Sequence, residues 1–377
     1  MKTKSIILVI LVVTAAVLVY FGLRTNPVVT KAQEPTLPYP YQSEDVTFAN
    51  NKAGIKLSGT FTYPKKEGAF PVVILISGSG PQDRNEEVFG HKPFLVIADH
   101  LTRQGIAVLR YDDRGIGKST GNFMMATTLD YATDAESAVA YLKTRKEIDS
   151  QKIGLAGHSE GGLVAAIAAS RTKDIGFVIS LAGPGVKGIE VIKLQSELIA
   201  RAGGIEENEI AMMKKMDEET IEILLSTPDT TLLRTKMAAH AKRNLKNFPE
   251  KVLPPGQSKE QFFASQINAM CTPWYQFLYK SDPAAYFSKI TCPILALNGA
   301  KDLQVSASQN LPAILKAASD GNNKNVTIKE LADLNHFFQS CKTGHPNEYA
   351  GLPETFSPVA LAAISDWITT QIKLSNK

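Results

Sequence analysis

The stretch Ile153-Gly154-Leu155-Ala156-Gly157-His158-Ser159-Glu160-Gly161-Gly162, continued by a small apolar run over 163–169, admits few backbone paths. Its first half reads as an apolar strand and its second as an Ala-rich helix, so the chain must turn sharply between them, with Ser159 at the apex. Gly157 and Gly161 flank the serine at the G-x-S-x-G spacing. A side chain at either position would collide with the strand or helix packed alongside. Such a turn exposes the Ser159 hydroxyl and aims the first unpaired N–H groups of the helix at whatever approaches it. The same spacing also occurs in ordinary Gly-rich turns, so the weight falls on its surroundings.

Those surroundings alternate. Residues 72–76, Val-Val-Ile-Leu-Ile, form a run with no polar member, as a strand buried on both faces requires. Similar runs follow over 106–111 and 177–182, with helical periodicity over 94–104 and 129–145 between them. Ahead of them, 46–48 and 56–63 alternate around Asn50-Asn51-Lys52-Ala53-Gly54, which predicts a hairpin at a sheet edge. The alternation stops over 186–289, where Lys/Glu-rich helical patterns run through 189–202, 206–225 and 232–247. It resumes with a strand over 293–297, a helix over 311–318, a strand over 325–330 and a final helix capped by Ser357 with Pro358 in its first turn. The expected fold class is α/β: a doubly wound, mostly parallel sheet with an N-terminal antiparallel hairpin and an inserted helical cap. Residues 44–185 and 290–377 make the two parts of the core, and 186–289 the cap.

Charge bears on partners only once it is located. Residues 1–32 hold Lys2, Lys4, Arg24 and Lys31 and no acid; without those four, the 41 basic residues fall to the number of the 37 acidic ones. A neutral body argues against nucleic acid as a partner. Lys2 and Lys4 precede an apolar and small-residue run over 5–23 that Arg24 ends, the pattern of an export signal. Two outcomes stay open for residues 1–32: a signal peptide cut after Ala32, or a retained anchor, the body's one route to a membrane. Both place the body outside the cytoplasm, in the periplasm or beyond. Residues 33–43, with Pro35, Pro38 and Pro40, read as an extended linker. Cys271, Cys292 and Cys341 form no C-x-x-C pair, which disfavours a zinc site or redox dithiol; one disulfide with one free thiol stays open.

A serine hydroxyl becomes a nucleophile when an oriented imidazole takes its proton. His91, His100 and His240 lie in helical or pre-helical text, His345 in a polar loop, and His158 is held by the turn itself. His336 directly follows the last strand and so lands on the carboxyl edge of the sheet, as Ser159 does. For its orienting acid, Asp302 at the end of the preceding strand fits the order serine, acid, histidine; Asp282 and Asp333 are its rivals. Ser77-Gly78-Ser79-Gly80-Pro81 ends the first buried strand with backbone amides facing a crevice, or forms a plain turn. The charged cluster Asp83-Arg84-Asn85-Glu86-Glu87 reads as a solvated or loop-fixing network. Gly117-Lys118-Ser119 invites a phosphate-loop reading, which fails because Asp112 stands where its first glycine is needed. Trp274, Tyr275, Phe277 and Tyr279 suit either ordinary packing or the walls of a substrate pocket under the cap.

Gly157-His158-Ser159-Glu160-Gly161, Asp112-x-Arg114-Gly115-x-Gly117-x-Ser119, Asn298-Gly299-x-x-Asp302 and Asn335-His336 together resemble the α/β-hydrolase superfamily. Gly78-Ser79-Gly80-Pro81-Gln82-Asp83-Arg84 and Thr355-Phe356-Ser357-Pro358 are similar to its bacterial carboxylesterase and serine-aminopeptidase-like branch. The resemblance implies Ser159 as nucleophile, His336 as general base and then acid, Asp302 as its orienter, and the backbone N–H groups of Ser79 and Glu160 as the oxyanion hole. One departure is that Ser77-Gly78 stands where many relatives have His-Gly. No cofactor and no metal are implied. The expected substrate is a small-molecule carboxylic ester with a small or medium acyl group, with a short peptide or amide as the alternative. A catalytically silent binding protein on the same fold is the reading from another class.

Overall fold

The computed structural model describes residues 32–246, 248, 253 and 256–375. The apolar run over 5–23 lies outside the described residues, and with it the export signal read from the sequence. Among the described residues no helix is long and apolar enough to cross a membrane.

An eight-stranded sheet runs in the order β1-β2-β4-β3-β5-β6-β7-β8. The hairpin β1 (Gln42–Asn50) and β2 (Ile55–Tyr63) is antiparallel, and β2 meets β4 (Ala107–Tyr111) antiparallel. From β4 onward every neighbour is parallel: β3 (Phe70–Ile76), β5 (Ile148–His158), β6 (Phe177–Leu181), β7 (Ile294–Gly299) and β8 (Val326–Leu331).

The apolar run of β3 explains its central place. Val72, Ile74 and Ile76 pack on one face with α2 (Thr128–Leu142) and α3 (Glu160–Ala169). Val73 and Leu75 pack on the other with α1 (Pro93–Arg103) and the C-terminal helix over 358–375. With both faces apolar, neither can be left to water. The chain leaves β3 toward β4 on one side and leaves β5 toward β6 on the other, so the neighbours β3 and β5 mark the point where strand order reverses. At such a point the loops after the two strands part and leave a crevice at their carboxyl ends.

Between β6 and β7 the chain forms α4 (Gly188–Ala202), α5 (Glu207–Ser226), α6 (Thr230–Asn244), α7 (Lys259–Met270), α8 (Pro273–Lys280) and the single turn α9 (Ala284–Phe287). Ile199, Ile205, Ile210, Met213, Met216, Phe248 and Phe262 form a small core of their own there. Ile192, Leu224, Met237, Met270 and Trp274 instead join the main core, so the segment is fused to the sheet domain. The sequence reading left α7 and α8 unassigned, although each start carries a cap. Ser258 and Gln261 form a capping box, and Thr272 accepts the Tyr275 N–H ahead of Pro273. After β7, α10 (Ala307–Asp320) begins a turn earlier than the periodicity predicts. Pro312, near the start of the expected helix, sits inside the observed one. All three cysteines are free thiols, which removes the disulfide alternative.

Candidate active site

Ser159 follows the last residue of β5 and precedes the first of α3, with φ 53° and ψ −121°, a conformation that side chains seldom adopt. The turn is held on both sides: the Ser159 N–H donates to Leu181 O at 2.8 Å, and the Gly162 N–H to Ser159 O at 2.9 Å. The flanking glycines are obligatory. A Cβ on Gly157 would lie 1.9 Å from Gly161 O, and one on Gly161 2.2 Å from Ile76 O. Among the described residues the backbone N–H groups of Glu160 and Ser79 have no acceptor. They are the two donors that the resemblance assigns to an oxyanion hole.

Their side chains meet. Ser79 Oγ donates to Glu160 Oε2 at 2.8 Å, Thr128 Oγ1 to Glu160 Oε1 at 2.7 Å, and the Trp274 indole N–H to both carboxylate oxygens at 2.9 Å. Burial pushes the Glu160 carboxyl above the usual carboxylate range, against these three donors, which pull it down. The loop bearing Ser79 is fixed further. Asp113 accepts Ser77 Oγ–H at 2.8 Å and the Gln82 N–H at 3.0 Å, and Arg84 reaches Asp112 through Nε at 3.0 Å and NH2 at 2.7 Å.

His336 stands in the loop after β8 and Asp302 in the loop after β7. His336 Nδ1 donates to Asp302 Oδ2 at 2.8 Å. Asp302 Oδ1 accepts the N–H groups of Gln304 at 2.8 Å and Val305 at 2.9 Å, which fixes the carboxylate. Asn335 Oδ1 accepts the N–H groups of Phe337 at 3.0 Å and Gln339 at 2.9 Å and so shapes the histidine's turn. The rival acids lie elsewhere: Asp333 pairs with Lys301 at 2.7 Å, and Asp282 caps the Ala284 N–H at 3.1 Å. With Nδ1 held, the Nε2 lone pair of His336 is the basic one. Among the described residues no hydrogen bond joins it to Ser159 Oγ, and such contacts often tighten only with substrate bound.

The pocket residues read from the aromatic cluster divide. Trp274 hydrogen-bonds Glu160 as above and so reaches the residue next to Ser159. Tyr275 is 1% exposed, stacks on Tyr279 with ring centroids 4.1 Å apart and donates its hydroxyl to Tyr279, so it belongs to the packing. Phe277 is partly buried against the same core.

Sequence reasoning missed Glu86. Its cluster does fix a loop, but Glu86 is not solvated: it is 2% exposed and accepts the Gly78 N–H at 2.7 Å. His158, read only as held by the turn itself, lies with Nδ1 2.8 Å from Glu86 Oε1 and Nε2 3.0 Å from the carbonyl oxygen of His336. No local pattern marks Glu86 for burial. Among the described residues no group of acids, histidines and cysteines could hold a metal ion.

A family model of hydrolases described as serine aminopeptidase, S33 matches residues 92–253. Esterase EstD of Thermotoga maritima is 29% identical over 303 residues, which cover 80% of this chain and 61% of that protein. The chain thus spans about three fifths of that relative's length. An esterase of Pyrococcus furiosus, Pf2001, superposes with a TM-score of 0.52 at 17% identity, over 88% of this chain and 91% of its own. Est1E of Butyrivibrio proteoclasticus, solved with ferulic acid bound, superposes with a TM-score of 0.50 at 18% identity, over 87% and 99%. At such identities the two structures bear on the fold alone.

Proposed function

We propose that the chain is a member of the α/β-hydrolase superfamily, and a serine hydrolase that cleaves carboxylic esters of small or medium acyl groups through an acyl-enzyme on Ser159. The observation that carries this reading is the Asp302–His336 pair, 2.8 Å apart, set on the same sheet edge as a serine in a strained turn. In the first step Ser159 Oγ bonds to the substrate carbonyl carbon while its proton passes to His336 Nε2. The Asp302 carboxylate stabilises the imidazolium, and the N–H groups of Glu160 and Ser79 receive the oxyanion. The C–O bond then breaks, the alcohol leaves with the proton from His336, and a water deprotonated by His336 releases the acid and restores Ser159.

The likeness to the serine aminopeptidase family over 92–253 favours a second reading with the same chemistry, in which the leaving group is an amine. A panel of nitrophenyl acyl esters beside aminoacyl anilides separates the two. Ser159→Ala should lower turnover of the preferred substrate by roughly 10⁴-fold or more, and abolish labelling by a fluorophosphonate probe. Undiminished ester hydrolysis in that variant would sink the proposal. A fluorophosphonate-inert wild-type chain would favour a binding protein on the hydrolase fold. Export is proposed with the activity, resting on the charged and apolar pattern of residues 1–32.

A further inference from the structure

Both ring nitrogens of His158 face oxygen. Nε2 lies 3.0 Å from the carbonyl oxygen of His336, and a carbonyl can only accept, so Nε2 carries a hydrogen. Nδ1 lies 2.8 Å from Glu86 Oε1, the same oxygen that accepts the Gly78 N–H at 2.7 Å. His158 is 4% exposed and Glu86 2%, so water does not intervene freely. A neutral ring with its hydrogen on Nε2 would set the Nδ1 lone pair against a carboxylate oxygen in this poorly solvated place. The contact is attractive only with a proton between the two atoms.

The pair also touches both halves of the site. Through Gly78, Glu86 holds the residue before Ser79; through Nε2, His158 holds the backbone of His336. A Cβ on Gly78 would lie 3.2 Å from both Glu86 Oε1 and the Ser159 Cβ, so a larger residue would crowd the carboxylate and the serine at once.

We propose that His158 is a positioning residue held as an imidazolium by Glu86, and that this ion pair locks the loop of the base to the loop of the oxyanion donor during turnover. The proposal rests on the reading of Ser159 as nucleophile and His336 as base. The groups around the pair agree with a cation at His158. Asp302 faces it from the loop after β7, while Asp113, which faces Glu86 from the loop after β4, has its carboxyl pushed well above the usual range by burial and adds little negative charge there. The rings of His336 and Phe337 lie 4.8 and 5.1 Å away. Arg84, two residues from Glu86, is committed to Asp112. Burial opposes the charged ring, but the Glu86 carboxylate and its hydrogen bond carry the His158 pKa above the ordinary histidine value.

The test begins with the full chain labelled with nitrogen-15, its histidine side chains followed by NMR from acid to alkaline pH, and His158 identified with His158→Gln. Near neutral pH both His158 nitrogens should carry protons, and the Nδ1 proton should be lost only well above the ordinary histidine value of about 6.5. An unprotonated Nδ1 at neutral pH overturns the proposal. Turnover of a nitrophenyl ester should fall on the alkaline side where that proton leaves. Glu86→Gln removes the anion, so the fall should move to lower pH by about one unit or more, with kcat down roughly tenfold and KM within about twofold. An alkaline limb that Glu86→Gln leaves in place also overturns it. Fluorophosphonate labelling separates the two layers of the claim. A labelled Ser159 beside a neutral His158 refutes the ion pair, whereas an unlabelled Ser159 beside a doubly protonated His158 refutes the serine-hydrolase reading and the positioning role with it.

Discussion

Glu86 and Glu160 are 2% and 4% exposed, and both grip the loop after β3, one at the Gly78 N–H and the other at Ser79 Oγ. Glu86 is answered by an imidazole that reaches the backbone of His336. Glu160 is answered by two hydroxyls and an indole N–H, all neutral, and by its place in the first turn of α3, where the helix dipole favours an anion. The two sites therefore do different work. On the base side, charge pairing ties two loops of the sheet domain to each other. On the other side, neutral hydrogen bonds tie the sheet domain to α8 of the inserted helices, so that contact can change without altering the proton inventory around His336.

The severest way to probe this difference is to remove charge on the base side alone. Asp302→Asn keeps the shape but removes the anion that orients Nδ1 of His336. Turnover should fall by roughly 10³–10⁴-fold with the fold intact. A loss under tenfold, measured on protein of normal thermal stability, would mean that another acid serves His336.

Glu160→Ala probes the neutral side, and here stability should suffer more than chemistry. It leaves the donors of Ser79, Thr128 and Trp274 without their buried acceptor. With about 1–3 kcal/mol at stake for each unsatisfied group and some relief from entering water, urea unfolding should show a loss of roughly 2–4 kcal/mol. Turnover should drop much less than in Asp302→Asn. Glu160→Gln adds a test of sign. Because the folded protein holds the Glu160 proton more tightly than the unfolded chain does, the wild type binds more protons when folded over the window between the two pKa values. Its stability relative to Glu160→Gln should decline as pH rises from the ordinary glutamate range through the raised value, and level off above it. A difference that grows with pH would mean that the three donors outweigh burial and stabilise the carboxylate in the folded protein.

The two sides also differ in how far the sequence announces them. The proposed set of Ser159, Asp302 and His336 is legible because each member lies in the turn or loop after a strand, and strand ends follow from apolar runs and chain order. The sheet is legible for the same reason, since Val72 to Ile76 leave no face that could meet water. Glu86 and Glu160 are not legible as buried groups. What buries Glu86 is His158, 72 residues away in sequence, and what completes Glu160 is Trp274, 114 residues away. Helices α7 and α8 escaped although Ser258 and Thr272 mark their starts, because caps on short helices lack the long apolar period that draws the eye.

Trp274→Phe is the mildest probe and separates the contact with α8 from the carboxylate itself. Phenylalanine keeps an aromatic ring among the buried residues of α8 and removes only the N–H that bridges both oxygens of Glu160. The carboxylate retains Ser79 and Thr128, so it is not left bare. The loss should be about 0.5–1.5 kcal/mol in urea unfolding, the usual net worth of one hydrogen bond. Turnover of a small nitrophenyl ester should stay within about threefold of the wild type, because none of the groups proposed to move a proton or receive the oxyanion has changed. A fall in kcat as deep as that of Asp302→Asn would break the comparison, since it would require the seating of α8 to set the geometry around His336 as strongly as the charged pair does.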